Sequence, residues 1–422
     1  MTVASIRAAG RDRLRVLRVP AFRGVYFGGI CSGLTDGLIP VAFALQSVRA
    51  FGSPTAMSTI LLALWIGRFA CTPLAGRVAA RRDRFLVMMW SDLGRAIAQG
   101  GLALAIIVLG HDSLALMALS AALYGAATAF FGPALWSSIP TLVERRDLDR
   151  ANGLLAINTD ISVLLGPTIA VVLMSAIGFR AILILDALTF LVNIAALAYA
   201  RGKAVPAHEQ SSSDPGPDSA AEHTFLATIR ATPWLGWSTA LWFVVSVSIG
   251  LVAVAGPVAT IGKSGSGAHW AALATGMAAA SLVGSLSVVA GLGRIRWAAA
   301  AVAVAVAFSF EVVALALYPQ LRGGVDIIVL FGACTIAGLV NSVSGIAWQT
   351  TIQKRLPIGP LAHFSSVEGF VNAAGVPIGM FVGGIVLAHG ALPATAIVLC
   401  VAMIGSAIVS GVGIRELADE RT

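Results

Sequence analysis

Charge is what this chain has least of. Asp, Glu, Lys and Arg together supply 11% of its 422 residues, where soluble domains carry about a quarter. With 58% hydrophobic residues and a mean hydropathy of +0.88, a water-soluble globule is excluded. Cysteine is also scarce: Cys31, Cys71, Cys334 and Cys400 all fall in apolar stretches, with no CxxC and no histidine at ligand spacing. That argues against a disulfide frame and against a metal site. Absent too are GxxxxGKS, GxSxG and HExxH. Neither an ATP motor nor a common hydrolase is supported. No catalytic residues and no cofactor are therefore expected, and the energy for any work must come from an ion gradient.

What the chain does have is long apolar runs. They lie near 24–48, 55–78, 85–109, 113–140, 152–177 and 180–200, and again near 233–261, 268–291, 297–318, 326–350, 364–388 and 392–414. A bilayer core about 30 Å thick takes roughly 20 apolar residues per helix, so twelve spans use about 240 residues. The basic stretch before the first run resembles a signal peptide, but the run continues without a cleavage site and reads as a retained span. The fold class is an all-α polytopic membrane protein of twelve transmembrane helices in two six-helix halves. Residues 1–200 form the first half and 230–422 the second. Between them, 201–229 contains SSSDPGPDSAAEH, a flexible cytoplasmic linker with almost nothing to bury.

The formal charge of +8 could suggest a nucleic-acid partner. Its placement says otherwise. With both termini cytoplasmic, 22 of the 28 Lys and Arg fall in inside segments, four outside (Arg49, Arg180, Lys263, Arg322) and two within spans (Arg68, Arg95). This is the positive-inside bias of a bacterial cytoplasmic membrane protein. No nucleic acid is expected, and the lipid bilayer is the partner the composition requires.

Few residues could carry chemistry inside the bilayer. Asp36, in SGLTDGLIP, lies about 15 Å deep by helical rise, where an acid costs about 2.5–3.5 kcal/mol on insertion scales. It reads either as a proton-coupling acid or as half of a structural ion pair. Ser32, Gly33, Gly37 and Pro40 around it could open the helix locally. Arg68 has a similar depth and reads as a partner of Asp36, an anion-substrate contact or an arginine snorkelling to the interface. Asp92 and Arg95 share a helical face and are expected to neutralise one another. Asp160, Asp186 and Glu368, about two turns inside their spans, are expected to be structural. Glu311 lies deeper and is a second coupling candidate. Asn341, Ser344 and Trp348 recur at helical spacing, a stripe that fits a cavity lining or interhelical hydrogen bonds. Gly166-Pro167 and Gly375, Pro377 and Gly379 are expected packing or hinge positions.

The segment PLAGRVAARRDRFLVM resembles the loop signature of the major facilitator superfamily, Gly-x-Leu-Ala-Asp-Arg-x-Gly-Arg-Arg. Gly76, Val78, Ala79, Arg81 and Arg84 match it, Asp83 fits a variant, and Ala80 stands where the family carries an acid. The resemblance implies that Gly76, Arg81, Asp83 and Arg84 form a gating loop. Pro133, Ala134, Pro140, Leu142, Val143, Ala151, Asn152, Trp348, Gln353 and Pro357 are similar to the branch of enterobactin exporters and macrolide efflux proteins. That implies a monomeric secondary transporter, without enzymatic activity, exporting a small amphipathic or hydrophobic compound (a drug, secondary metabolite or siderophore) in exchange for protons. A lysolipid flippase, a nutrient importer and a non-transporting sensor or assembly partner are the alternatives.

Overall fold

The computed structural model describes residues 15–52, 54–204, 228–230, 232–264, 267–292, 295–322 and 324–419. The basic residues of 1–14 and most of the expected linker, 205–227, lie outside the described residues. Thirteen long helices are described: α1 Pro20–Asp36, α2 Ile39–Phe51, α3 Pro54–Arg81, α4 Arg84–Leu109, α5 Leu114–Leu142, α6 Leu148–Ala176, α7 Gly178–Lys203, α8 Pro233–Ser264, α9 Ala268–Val289, α10 Trp297–Leu317, α11 Val325–Arg355, α12 Ile358–Ala388 and α13 Leu392–Asp419. They make twelve segments long and apolar enough to cross a membrane, with α1 and α2 sharing the first. Helix is what the bilayer demands, because each backbone polar group must be satisfied within its own segment.

The boundaries follow from local chemistry. Asp83 accepts from the amides of Phe85 and Leu86, at 2.9 and 3.3 Å, and so caps the start of α4. Gly110 ends the same helix at φ 76°, a left-handed conformation suited to glycine. The first span breaks after Asp36 because Pro40 has no amide to offer the Asp36 carbonyl and its ring crowds it. The chain turns there, with the Leu38 amide on the Thr35 carbonyl at 2.8 Å, and resumes as α2. The opening expected around the acid is thus a full interruption.

Two compact units emerge, 1–223 with 352–367 and 224–351 with 368–422. In the first, α3 lies against α5, α4 against α5 and α7, and α1 against α6 and α7. Its core holds Ile39, Phe43, Ile60, Ile106, Met117, Phe179 and Phe190. The short stretch 352–367 belongs to this unit: Asn152 donates to Gln353 at 2.7 Å, Gln353 to the Trp136 carbonyl at 3.2 Å, and Ser366 to the Thr72 carbonyl at 2.6 Å. In the second unit α8 and α10 lie against α13, and α8 also packs on α9 and α10. Large apolar side chains such as Leu104, Val108, Phe381, Val398 and Val401 point outward. In water this would be a liability, but in lipid it is the expected outer surface.

Backbones touch where glycines remove the side chain. A Cβ on Gly166 of α6 would lie 2.9 Å from the Gly37 carbonyl oxygen, at the break between α1 and α2. In the second unit Gly379 of α12 lies against Val247 of α8, where any Cβ would collide with backbone, and Gly375 sits between Ser246 and Phe243. The prolines Pro167 and Pro377 stand inside α6 and α12, beside these contacts. Such small-residue seams let membrane helices gain dispersion and backbone contact that lipid cannot supply.

Candidate functional site

A charged cluster occupies the middle of the first unit. Arg95 lies roughly three turns into α4, about 16 Å from its start by helical rise, and is 2% exposed. One terminal nitrogen donates to both Asp36 oxygens, at 3.2 and 3.0 Å. The other donates to Asp92, one turn earlier on the same helix. Asp92, fully buried, also accepts from the Asn193 amide of α7 at 2.8 Å. The Tyr124 hydroxyl of α5 donates to Asp36. The faces of the guanidinium are covered by Phe131 and Phe190, with ring centres 4.8 and 4.3 Å from its central carbon. A cation sandwiched by aromatic rings and held by two carboxylates is compensated without water.

Asp36 differs from Asp92 in its access. Its side chain is 37% exposed, and it lines a cavity of 360 Å³ with Ser32, Gly33 and Gly37 from α1 and the break, Phe131, Leu135 and Trp136 from α5, and Asn158, Thr159 and Ser162 from α6. One carboxylate of the pair can therefore meet water or a ligand while the other cannot. Arg68 of α3 stacks over Trp65, 5.6 Å from the ring centre, and feels Asp36 and Arg95 electrostatically. The ion pair to Asp36 is made by Arg95, and Arg68 adds charge at longer range. The expected neutralisation of Asp92 by Arg95 is present but is half of a larger bridge. The sequence paired Arg95 with Asp92 by their spacing on one helical face and gave no sign of its contact with Asp36. Tyr124, Asn193 and the aromatic cover carried no signal either, since spacing along a helix does not say which neighbouring helix a side chain meets.

Asp186 of α7 is fully buried near the same cluster. At the start of the loop motif Gly76 packs against Ser366 and His363, close enough that a Cβ would sit 2.6 Å from Ser366. Asp83 pairs with Arg201 at 2.8 Å, linking the start of α4 to the end of α7. Arg81 is exposed at the end of α3, and Arg84 opens α4 half-buried.

The second unit is built differently. Glu311 of α10 is 1% exposed and lies beside Cys334 of α11. Ser344 is buried and donates to the Ala300 carbonyl at 3.1 Å, and Trp348 is buried and donates to Glu368 at 3.2 Å. Asn372 also donates to Glu368, at 2.7 Å. Trp348 belongs to an aromatic group with Trp234 and Trp297, whose indole in turn donates to Ser238 and Ser410 at 3.0 Å. Of the stripe read from sequence, Ser344 and Trp348 are engaged in interhelical contacts, while Asn341 is half-buried. Among the described residues no His, Cys, Asp or Glu cluster could hold a metal ion.

Twelve helices long and apolar enough to cross a membrane define a multi-pass membrane protein, with a buried charge set beside a cavity in its first unit. The sequence matches the Major Facilitator Superfamily over residues 25–383, and the chain belongs to that family, one of transporters and not of enzymes. Solved structures of similar fold include a bacterial homologue of the iron transporter ferroportin in an outward-facing state, with TM-score 0.70 and 14% identity over 94% of this chain and 99% of that one. The human organic anion transporter MFSD10 (TETRAN) is similar with TM-score 0.64 and 15% identity over 93% and 97%. The E. coli fucose:proton symporter FucP is similar with TM-score 0.66 and 13% identity over 95% and 98%. At these identities the likeness concerns the fold. No curated protein matches the sequence significantly.

Proposed function

We propose that this protein is a proton-coupled exporter of a small amphipathic or hydrophobic compound, working by alternating access in a bacterial cytoplasmic membrane with both termini inside. The observation that supports it best is the position of Asp36, a mid-span acid that faces a cavity on one side and the buried Arg95 on the other. Protonating Asp36 would break a charge-assisted contact to Arg95 and leave that guanidinium with Asp92, so proton occupancy and the geometry of α1 become linked. Phe131, Leu135 and Trp136 offer apolar and aromatic surface, and Ser32, Asn158 and Thr159 a few polar contacts, the composition of a small-molecule site. The match of Pro133, Pro140, Trp348 and Gln353 to the enterobactin and macrolide exporter branch supports efflux as the direction. In this reading the protein acts as a monomer, the Lys and Arg asymmetry sets the topology, and Glu311 is the acid of the second unit available for coupling.

The deciding measurement is flux of a panel of drugs, secondary metabolites and siderophores in vesicles of both orientations, with and without an uncoupler. Uncoupler-sensitive accumulation inside everted vesicles is expected, and Asp36→Asn should abolish it while leaving the folded yield unchanged. Accumulation in right-side-out vesicles would replace export by import, lipid movement between leaflets would make it a flippase, and ligand binding without any flux would make it a sensor. Full gradient-driven flux in Asp36→Asn would remove Asp36 as the coupling acid.

A further inference from the structure

Asp186 is the one acid of the central cluster without a visible counter-charge in contact with it. It lies in α7, fully buried, and among the described residues neither carboxyl oxygen has a hydrogen-bond partner. The charged and titratable groups that act on it are Asp36 from α1, Asp92 and Arg95 from α4, and Tyr124 from α5. Arg95 is already committed to Asp36 and Asp92. With Arg68 within electrostatic range of Asp36, two guanidiniums balance two carboxylates. A third ionised carboxylate would be uncompensated and sealed from water, with only the Thr35 hydroxyl close by, a state that proteins avoid by keeping the group neutral.

The surroundings also offer a path. Thr189, one turn after Asp186, and Thr35, next to Asp36, are in hydroxyl contact at 2.9 Å. Each also has a backbone carbonyl it can donate to, Asp186 for Thr189 at 2.7 Å and Ser32 for Thr35 at 2.9 Å. A hydroxyl with two alternative acceptors can take a proton on its oxygen and release its own. The Thr35 hydroxyl faces the Asp186 carboxyl as well.

We propose that Asp186 is a proton-holding carboxyl and that its proton exchanges with the cavity through the Thr35 and Thr189 hydroxyls and Asp36. In the transfer, the Asp186 O–H bond breaks as the Thr35 hydroxyl oxygen takes that proton, Thr35 gives up its own proton to the Asp36 carboxylate, which gains an O–H bond, and Asp186 becomes the carboxylate, while the Thr189 hydroxyl holds the Thr35 oxygen in place. Asp36 is the door because it alone of the two reaches the cavity. The inference rests on the coupling role of Asp36 only for its consequence in transport. The protonation of Asp186 stands apart from it.

The test is infrared spectroscopy of the full chain in nanodiscs at neutral pH, with aspartate isotopically labelled in its side-chain carboxyl so that aspartic acid bands are separated from those of Glu311 and Glu368. The wild type should show a protonated aspartic acid C=O band that shifts in heavy water and vanishes in Asp186→Asn. Thr35→Val and Thr189→Val should keep the band but slow its deuterium exchange, about tenfold for a barrier raised by about 1.4 kcal/mol, which a purely structural role would not do. Absence of any protonated aspartic acid band in the wild type, or its persistence in Asp186→Asn, overturns the proposal, and the wild-type measurement holds even if Asp186→Asn does not fold. Unchanged exchange in both threonine variants overturns the path. If Asp36→Asn transports normally while the band stays with Asp186, the coupling reading fails and this inference survives. If Asp36→Asn stops transport and no band exists, the reverse holds.

Discussion

The two units use the same kind of helix and bury different things in it. The first unit places Asp36, Asp92, Arg95, Tyr124 and Asn193 in one connected set at mid-span, with Asp186 sealed beside it. The second buries carboxylates singly, Glu311 beside Cys334 and Glu368 under the donors of Trp348 and Asn372, amid tryptophans and serines. Both repeat one packing device: a first helix touching a fifth through glycine, Gly37 on Gly166 in one unit and Val247 on Gly379 in the other. The common device is what lipid imposes on any helix pair, since close approach must replace the hydrophobic effect. The difference lies in what each unit can change. On the proposed reading, protonation of the cavity-facing Asp36 would give the charged set a second arrangement, whereas a carboxyl held by indole and amide donors is fixed by them.

The comparison can be broken at the guanidinium. Arg95→Met should be the most damaging substitution in the protein, because it strands Asp92 in a fully buried position; removing one partner of a buried pair costs about 3–5 kcal/mol. A large fall in thermal stability in detergent is expected, partly restored by adding Asp92→Asn. No rescue by that second change would mean the two side chains are not coupled as described.

The seams test whether the units are built alike. Gly166→Val and Gly379→Val each force a side chain into backbone, and overpacking of this kind costs about 1–3 kcal/mol. Similar losses of melting temperature in both variants are expected. A loss confined to one would show that the shared device bears weight in that unit alone.

A smaller effect should come from Trp348→Phe, which keeps the ring in its aromatic group but removes a donor to Glu368. Leaving a buried acceptor short of a donor costs about 1–3 kcal/mol, and Asn372 remains to hold the acid, so the lower end is expected. Flux should persist, and its disappearance would move Glu368 from scaffold to mechanism. The least change is expected from Asp83→Ala. It removes the α4 cap, worth about 1 kcal/mol, and a half-exposed pair with Arg201, a type worth about 0–1 kcal/mol. A drop in flux much greater than the drop in stability would show that this loop gates.

Much of the molecule was readable in advance. Spanning helices announce themselves because a bilayer permits few other structures, and the runs near 85–109 and 180–200 became α4 and α7 with shifts of a turn or less. The loop motif was legible as a pattern, but not that Asp83 caps α4 and meets Arg201. Asp36 was found from its depth; its partner was not. Arg68 was the neighbour in sequence order at a similar depth, and depth alone cannot say which face of a helix a side chain occupies. The same limit made Asn341, Ser344 and Trp348 look like one stripe, although Trp348 turns into a cluster with Trp234 and Trp297.

Composition and hydropathy by themselves determined that this chain is a bundle of twelve membrane-crossing helices, since the free energy of placing unpaired backbone or charge in lipid is large enough to override almost every local preference. Pro40 marked a weak point in the first span, since it withholds an amide from Asp36, but Pro167 and Pro377 do the same inside unbroken helices, so that the span breaks there was decided by the fold. Tertiary structure decided how the rare polar groups pair. Which of two arginines meets Asp36, and that Asp186 meets none, depends on the rotation of α3, α4 and α7 about their axes. That rotation is set by contacts among small and aromatic side chains, each worth little and none marked by sequence spacing.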